Sequence, residues 1–420
     1  MPRPLLVVAA AVALSLLGDQ LIYVVLPVMH DSVGVPVVSV GLLLSANRWV
    51  RLLTNSLAAL VVARWGRLWP FVGALVLGGC TTMAYGVLHG VWVWLVARLL
   101  WGTAWSFIRL EGLSTALEVA TEQTRGRCLG MYQAISRLGG AVAMLAGGIL
   151  HDLIGFRATF MLFGGLTCAG ACLVYYEMSR RPGREAARTV IPASVTPPAA
   201  SLVPEPSRLD ALTRRRMVVA SLGTFSNFLL TALVSATLGY MLRQRFGSTF
   251  LMGSLSLGVA SLTGFLLSTK GFLDLGLAPV TGRLSDRLGR HTMVLTAMPL
   301  AIVMVVILAL EPPLLVVAVT VILLYIASTA LHVTFDAVAG DIVPAGKRRA
   351  FLSLFVTWQD MGSATGPLIG YWIAPRFGPQ WLYLSGAMLF VLAMLAYGFV
   401  FVGATRRSAV AVEENPAWRV

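Results

Sequence analysis

Apolar runs of about 20 to 30 residues recur along this chain, and a run that long crosses a bilayer at ~1.5 Å of rise per helical residue. Six fall near 4–29, 38–63, 70–90, 92–118, 127–150 and 157–178. Six more fall near 216–240, 250–281, 291–310, 313–338, 349–374 and 380–404. Turns between them are marked by Pro36, Pro70, Pro312, Pro313 and Pro375. Only 12% of the residues are charged, about half the share of an average soluble domain. The chain is therefore expected to be an all-α integral membrane protein. Its first apolar run follows Arg3 as a signal peptide would, but continues past Asp19 to Met29 without a polar cleavage region, so a retained helix is expected.

The net charge of +14 would suit a nucleic-acid partner only if the basic residues formed a patch. Instead they occupy short loops. Arg64, Arg67, Arg125, Arg127, Arg283, Arg287, Arg290, Lys347, Arg348, Arg349, Arg406 and Arg407 all fall on one side of the twelve spans. The other side carries only Arg157, Arg243, Arg245 and Arg376. Because basic loops stay in the cytoplasm, both termini and the central linker are expected there, and no nucleic acid is expected as partner. Residues 179–215, rich in Arg, Pro, Ala and Ser, read as a largely disordered linker. This divides the chain into a bundle over 1–178, the linker, a second bundle over 216–404 and a tail over 405–420. Cys80, Cys128, Cys168 and Cys172 lie in or beside apolar runs without His or carboxylate neighbours, which predicts structural thiols and no metal.

The two sixes are copies. The turn GRLSDRLGR over 282–290 has a degraded counterpart, ALVVARWGR, over 59–67. One offset of 223 residues superposes Arg64 on Arg287, Gly66 on Gly289 and Arg67 on Arg290, and extends upstream to Leu43 on Leu266 and Ser45 on Ser268. A constant offset across a whole apolar run marks an internal duplication.

The same offset aligns Arg51 with Asp274 and Arg137 with Asp360, so the amino half holds bases where the carboxyl half holds acids. Ionisable groups at membrane depth are costly and face protein or water. Polar side chains three or four residues apart share a helical face. Such stripes comprise Ser15, Asp19 and Tyr23 in helix 1, and Arg98, Arg109 and Trp105 in helix 4. Thr224, Asn227 and Thr231 form one in helix 7, and Ser328, His332 and Asp336 one in helix 10. Ser and Thr often only bond their own preceding turn, so Ser15, Thr224 and Ser328 carry little weight. Glu111 has two open roles, a proton carrier or a counter-ion to a base such as Arg48. Arg98 has a structural alternative, tying helix 4 to helix 1.

Two sixes joined by a basic loop, with a G-x-L-x-D-R-x-G-R turn between helices 8 and 9, resemble the major facilitator superfamily over essentially the whole chain. Arg98-x-x-x-Gly102 in helix 4 and Asp19 with Leu26 and Pro27 in helix 1 are similar to its drug/proton antiporter branch. Helix 11 adds Gly362, Gly366, Pro367 and Gly370, and helix 5 adds the pairs Gly139, Gly140 and Gly147, Gly148. The resemblance implies two pseudosymmetric six-helix bundles with helices 1, 4, 7 and 10 lining a central cavity. Helix 2 would then face helix 11, and helix 5 helix 8, giving the bridges Arg51–Asp360 and Arg137–Asp274. Asp19, Tyr23, Arg48, Arg109, Glu111, Gln133, Asn227, Lys270, His332 and Asp336 are the expected substrate and proton residues.

The expected cytoplasmic gate comprises Arg64, Gly66, Arg67, Glu118, Gly282, Asp286, Arg287, Gly289, Arg290 and Asp341, with Arg67 and Arg290 facing Glu118 and Asp341. The family's first turn carries an acid where this chain has Ala63. The resemblance places that acid at the N-terminus of helix 11 and Asp286 at that of helix 5, where the helix dipole favours a carboxylate.

The expected function is secondary transport of a small molecule by alternating access, proton-coupled and outward. No G-x-x-x-x-G-K-[ST] run is present, so no nucleotide and no other cofactor is expected. Asp19, Glu111 and Asp336 are the candidate proton carriers, since burial raises a carboxylate pKa. Arg48, Arg109 and Lys270 would instead suit uptake of an anionic or zwitterionic solute. A membrane sensor without transport is a third reading. A lipid-processing enzyme is a fourth, but His30, His89, His151, His291 and His332 are scattered. A monomer in a bacterial inner membrane is expected.

Overall fold

The computed structural model describes residues 2–121, 123–179, 211–252, 255–343 and 348–402. The first six helices are α1 (Arg3–Met29), α2 (Val37–Trp65), α3 (Leu68–Tyr85), α4 (Val91–Glu118), α5 (Arg125–Ile154) and α6 (Phe156–Ser179). Then come α7 (Ala211–Phe246), a hairpin of β1 (Thr249–Met252) and β2 (Leu255–Gly258), and α8 (Val259–Leu288). The last are α9 (Arg290–Ala309), α10 (Leu314–Ile342), α11 (Arg348–Phe377) and α12 (Pro379–Tyr397), with a π-helical turn at Gly398–Val402. Most of the expected linker, the tail, Lys347, Arg406 and Arg407 lie outside the described residues.

The structure differs from the sequence reading at three places. The helix expected from 250 begins at Val259, because Gly247 takes a positive φ and ends α7, and the next residues pair as antiparallel strands, Thr249 opposite Gly258. Residues 211–215, expected in the linker, already belong to α7. Cys80 and Cys172 are exposed, not buried, on α3 and α6.

Nine of the described helices are long and apolar enough to cross a membrane. Helices α2, α8 and α11 are not among the nine, and they carry Arg48 and Arg51, Lys270 and Asp274, and Asp360 along their length.

The helices gather into two compact units. One holds the first six helices together with Leu233–Leu275 and Pro367–Arg376, so it includes the distal parts of α7, α8 and α11. Within it α1 packs along α5 and α6, α2 along α4, and α3 against α4 and α6. Small residues allow the close approaches, as expected where no hydrophobic force drives helices together in lipid. A Cβ on Gly102 of α4 would meet the Asn47 backbone of α2 at 2.7 Å, and one on Gly139 of α5 would meet Ala13 of α1 at 2.5 Å. In the second unit α9 packs against α10 and α12. There Gly362 meets the Phe225 carbonyl of α7 as Gly139 meets α1, and 223 residues separate these two glycines as well.

Candidate functional site

At the arginine-bearing turn between α2 and α3, Gly66 has φ 79°, and Gly289 has φ 90° in the copy between α8 and α9. Only glycine takes that conformation cheaply, so the turn keeps its glycine in both halves. Arg67 then reaches back to α4. Its Nε donates to Glu111 Oε2 at 2.9 Å and its Nη2 to Glu111 Oε1. Its Nη1 donates to Glu118, and Thr115 Oγ1 donates to Glu111 Oε1 at 2.9 Å. Glu111 is only 2% exposed. Arg48 is thus not the base it neutralises; Arg67 is, bidentately, the geometry a guanidinium makes best. In the copy, Arg290 pairs with Asp341 and, at 3.3 Å, with Asp286 one turn earlier. Arg64 and Arg287 are exposed, and Gly282 is half-buried beside Val333.

Deeper in the first unit, α1, α2 and α4 meet at Asp19. Its Oδ1 accepts from Arg98 Nη1 at 2.7 Å and Asn47 Nδ2 at 3.0 Å, and its Oδ2 from Gln20 at 3.1 Å. Arg98, fully buried, also donates to the Leu43 carbonyl at 2.8 Å and lies over the Trp101 ring. The expectation of Asp19 as a cavity carboxylate is corrected: it is 5% exposed and satisfied by an arginine. Desolvated charges survive in such places only when paired and hydrogen-bonded. Next along α1, Tyr23 donates to the Leu44 carbonyl at 2.9 Å and receives Arg48 Nε at 3.4 Å.

On α8, Lys270 Nζ lies 2.6 Å from Asp274 Oδ1, an i,i+4 pair that the inter-bundle reading did not include. Lys270 therefore spends charge on Asp274, where the sequence reading offered it to a solute. Between them Gly271 packs on Ala141 and the Arg137 carbonyl of α5, so Arg137 flanks the same crossing and its charge acts on Lys270. Arg51 and Asp360 are half-buried on α2 and α11, and Gln133 is exposed on α5. Arg109 is half-buried on α4 and its charge acts on Tyr132 of α5.

The second unit gathers α7, α10 and α11. Asn227 donates to the Ser328 carbonyl at 3.3 Å, and the Thr231 and Ser328 hydroxyls lie 2.7 Å apart. One and two turns on, His332 Nε2 lies 3.4 Å from Asp336 Oδ2. Gln359 Nε2 donates to Asp336 Oδ1 at 2.7 Å, and the Phe228 ring meets His332 edge-on at 4.9 Å. The Asp336 side chain is half exposed. Sequence reasoning missed Gln359, Phe228 and Asn47, since each becomes a neighbour only through helix packing. The position of Gln359, next to Asp360 in α11, was the one available signal.

Duplicated bundles of membrane-length helices with arginines and carboxylates paired at membrane depth define a multi-pass transport protein. The chain belongs to the Major Facilitator Superfamily, whose family model matches residues 8–274 and 221–419. It is therefore a membrane transporter and not an enzyme. Among curated proteins it is similar to the multidrug resistance protein MdtG of Proteus mirabilis, 24% identical over 361 residues, covering 82% of this chain and 84% of that one. It is also 27% identical over 184 residues to a probable vesicular acetylcholine transporter-B of Danio rerio, covering 41% of this chain and 37% of that one. Among solved structures it is similar to a bacterial homologue of the lysosomal transporter Spinster in an inward-facing, unoccupied conformation. The TM-score is 0.71 at 16% identity, over 94% of this chain and 96% of that one. A mutant of the nucleoside transporter NupG aligns with a TM-score of 0.73 at 12% identity, over 95% of this chain and all of that one.

Proposed function

We propose that this transporter exports a small molecule in exchange for protons, with Asp336 as the proton-carrying side chain. The observation that carries the proposal is the contrast among three acids. Asp19 is held by Arg98, and Glu111 by Arg67, whereas Asp336 is half exposed and its ion-pair partner is the titratable His332. A guanidinium does not give up its proton and so keeps its carboxylate engaged, whereas an imidazole partner can itself take up and release one. Outward direction is supported by the likeness to MdtG. Residues 1–178 and 216–404 act as the two moving bundles. The arginine-rich turns and both termini face the cytoplasm of a bacterial inner membrane. Uptake of an anion, the other reading, is weakened by the commitment of Lys270 to Asp274.

The test is purified full-length protein in proteoliposomes, monomeric by light scattering, screened with a panel of lipophilic cations and of organic anions. An acid interior should drive cations inward, protons leaving as the solute enters. Accumulation of anions driven by an acid exterior would establish symport instead.

A further inference from the structure

We infer that Asp152 is a latch that holds the outer ends of α5 and α8 together and so biases the transporter against opening on that face. It goes beyond the transport reading above and rests on it only for which face is called outer, the end away from the arginine-rich turns.

The first four backbone N–H groups of any helix lack intrahelical partners and are best met by a side-chain oxygen. Gly258 precedes α8 and has none to offer. The cap comes from α5 instead: Asp152 Oδ2 accepts the Ser261 backbone N–H at 2.8 Å and also the Ser261 hydroxyl. The carboxylate reaches that place because Gly258 lacks a Cβ, which would stand 2.2 Å from the Asp152 carboxyl carbon. A negative charge there also faces the positive end of the α8 dipole.

The helices beneath the latch touch backbone to backbone. A Cβ on Gly148 would meet the Ala260 carbonyl at 2.4 Å, and one on Gly264 the Met144 carbonyl at 2.3 Å. The duplication repeats this seam between α2 and α11, where a Cβ on Gly41 would meet the Pro367 carbonyl at 2.4 Å. Gly41 and Gly264 are 223 residues apart, and so are Met144 and Pro367. The position equivalent to Asp152 is Pro375, which has no carboxylate to give. One seam closes without an acid, so the acid on the other is an addition that tunes closure. Asp152 is also exposed, so its carboxylate is rehydrated at little cost when α8 leaves, as a reversible contact requires.

The test uses full-length protein in nanodiscs with its four cysteines replaced by serine. Two reporters are labelled with a membrane-impermeant maleimide. One is Thr263→Cys, at a fully buried position of α8 packed toward Gly239 of α7, near the latch; the other is Thr357→Cys on α11, toward the cytoplasmic end. Asp152→Ala should raise labelling of the first about 2- to 30-fold, the range that N-cap removal spans, and lower that of the second. Gly258→Ala leaves every acid in place and crowds the carboxylate off Ser261, so it should act in the same direction. Opposite changes at the two reporters are the expected result; no change, or a rise at both, overturns the latch. Labelling in sealed right-side-out vesicles separately checks which reporter faces out, so an error of sidedness is distinguishable from an error about the latch.

Discussion

Arg67 and Glu111 lie 44 positions apart in sequence, yet the guanidinium Nε of one stands 2.9 Å from the carboxylate of the other. The pair ties the α2–α3 turn to α4, and Glu118 and Thr115 complete the cage. Removing one partner strands a buried charge, at ~3–5 kcal/mol. Arg67→Ala should therefore lower the melting temperature markedly in a fluorescence-detected unfolding assay. Arg67→Lys should recover only part of the loss, because an ammonium cannot bridge both oxygens. Equal stability of the two variants would contradict the bidentate role.

Asp19→Asn tests the same logic in the α1–α2–α4 junction. Arg98 would be left fully buried with its charge uncompensated, so the variant should fold poorly and not merely lose coupling. Asp19→Asn combined with Arg98→Gln removes both charges and should be more stable than Asp19→Asn alone. A double variant no more stable than the single would show that the pair is not coupled.

At the α5–α8 crossing, Asp274 faces Lys270 directly, with Arg137 nearby. Asp274→Asn removes the acid that pairs with Lys270 and leaves that ammonium beside the like charge of Arg137, whereas Lys270→Gln leaves an acid beside Arg137. The first should cost more stability than the second. Thermal midpoints of the two variants measure it, and a larger loss for Lys270→Gln would remove Arg137 from the group.

What the sequence conveyed, and what it did not, follows from range. Twelve apolar runs carry the fold because each is legible within one segment, and the 223-residue offset because it compares two segments residue by residue without needing to know what touches what. The β1–β2 hairpin escaped because its strands are short, apolar and continuous with the run that becomes α8. The partners of Glu111 and Asp19 could not be read from spacing, since a helix face says where a charge points but not which neighbour meets it. Asp152 escaped for another reason: it caps a helix 109 residues further on, across a contact between α5 and α8.

Ala63 stands where the family's turn has an acid, and it is exposed at the end of α2. A carboxylate at a helix N-terminus contributes about 0.3–1 kcal/mol when exposed and up to ~2 when partly buried. Ala63→Asp should shift the population away from the inward-open state by up to about 30-fold, while Asp286→Ala shifts it toward that state. Labelling of the Thr357→Cys reporter should fall in the first and rise in the second. Labelling that stays constant or rises in Ala63→Asp would contradict a missing inner latch.

If Asp336 carries the proton, replacing its carboxylate by an amide uncouples transport from the pH gradient. The direct measurement compares wild type with Asp336→Asn in proteoliposomes, using a lipophilic cation that the wild type accumulates. Accumulation driven by a pH gradient and counterflow exchange without a gradient are read on the same preparation. Asp336→Asn should abolish gradient-driven accumulation and retain exchange, since the carrier still alternates but no longer binds a proton. Accumulation that persists in Asp336→Asn would contradict that role.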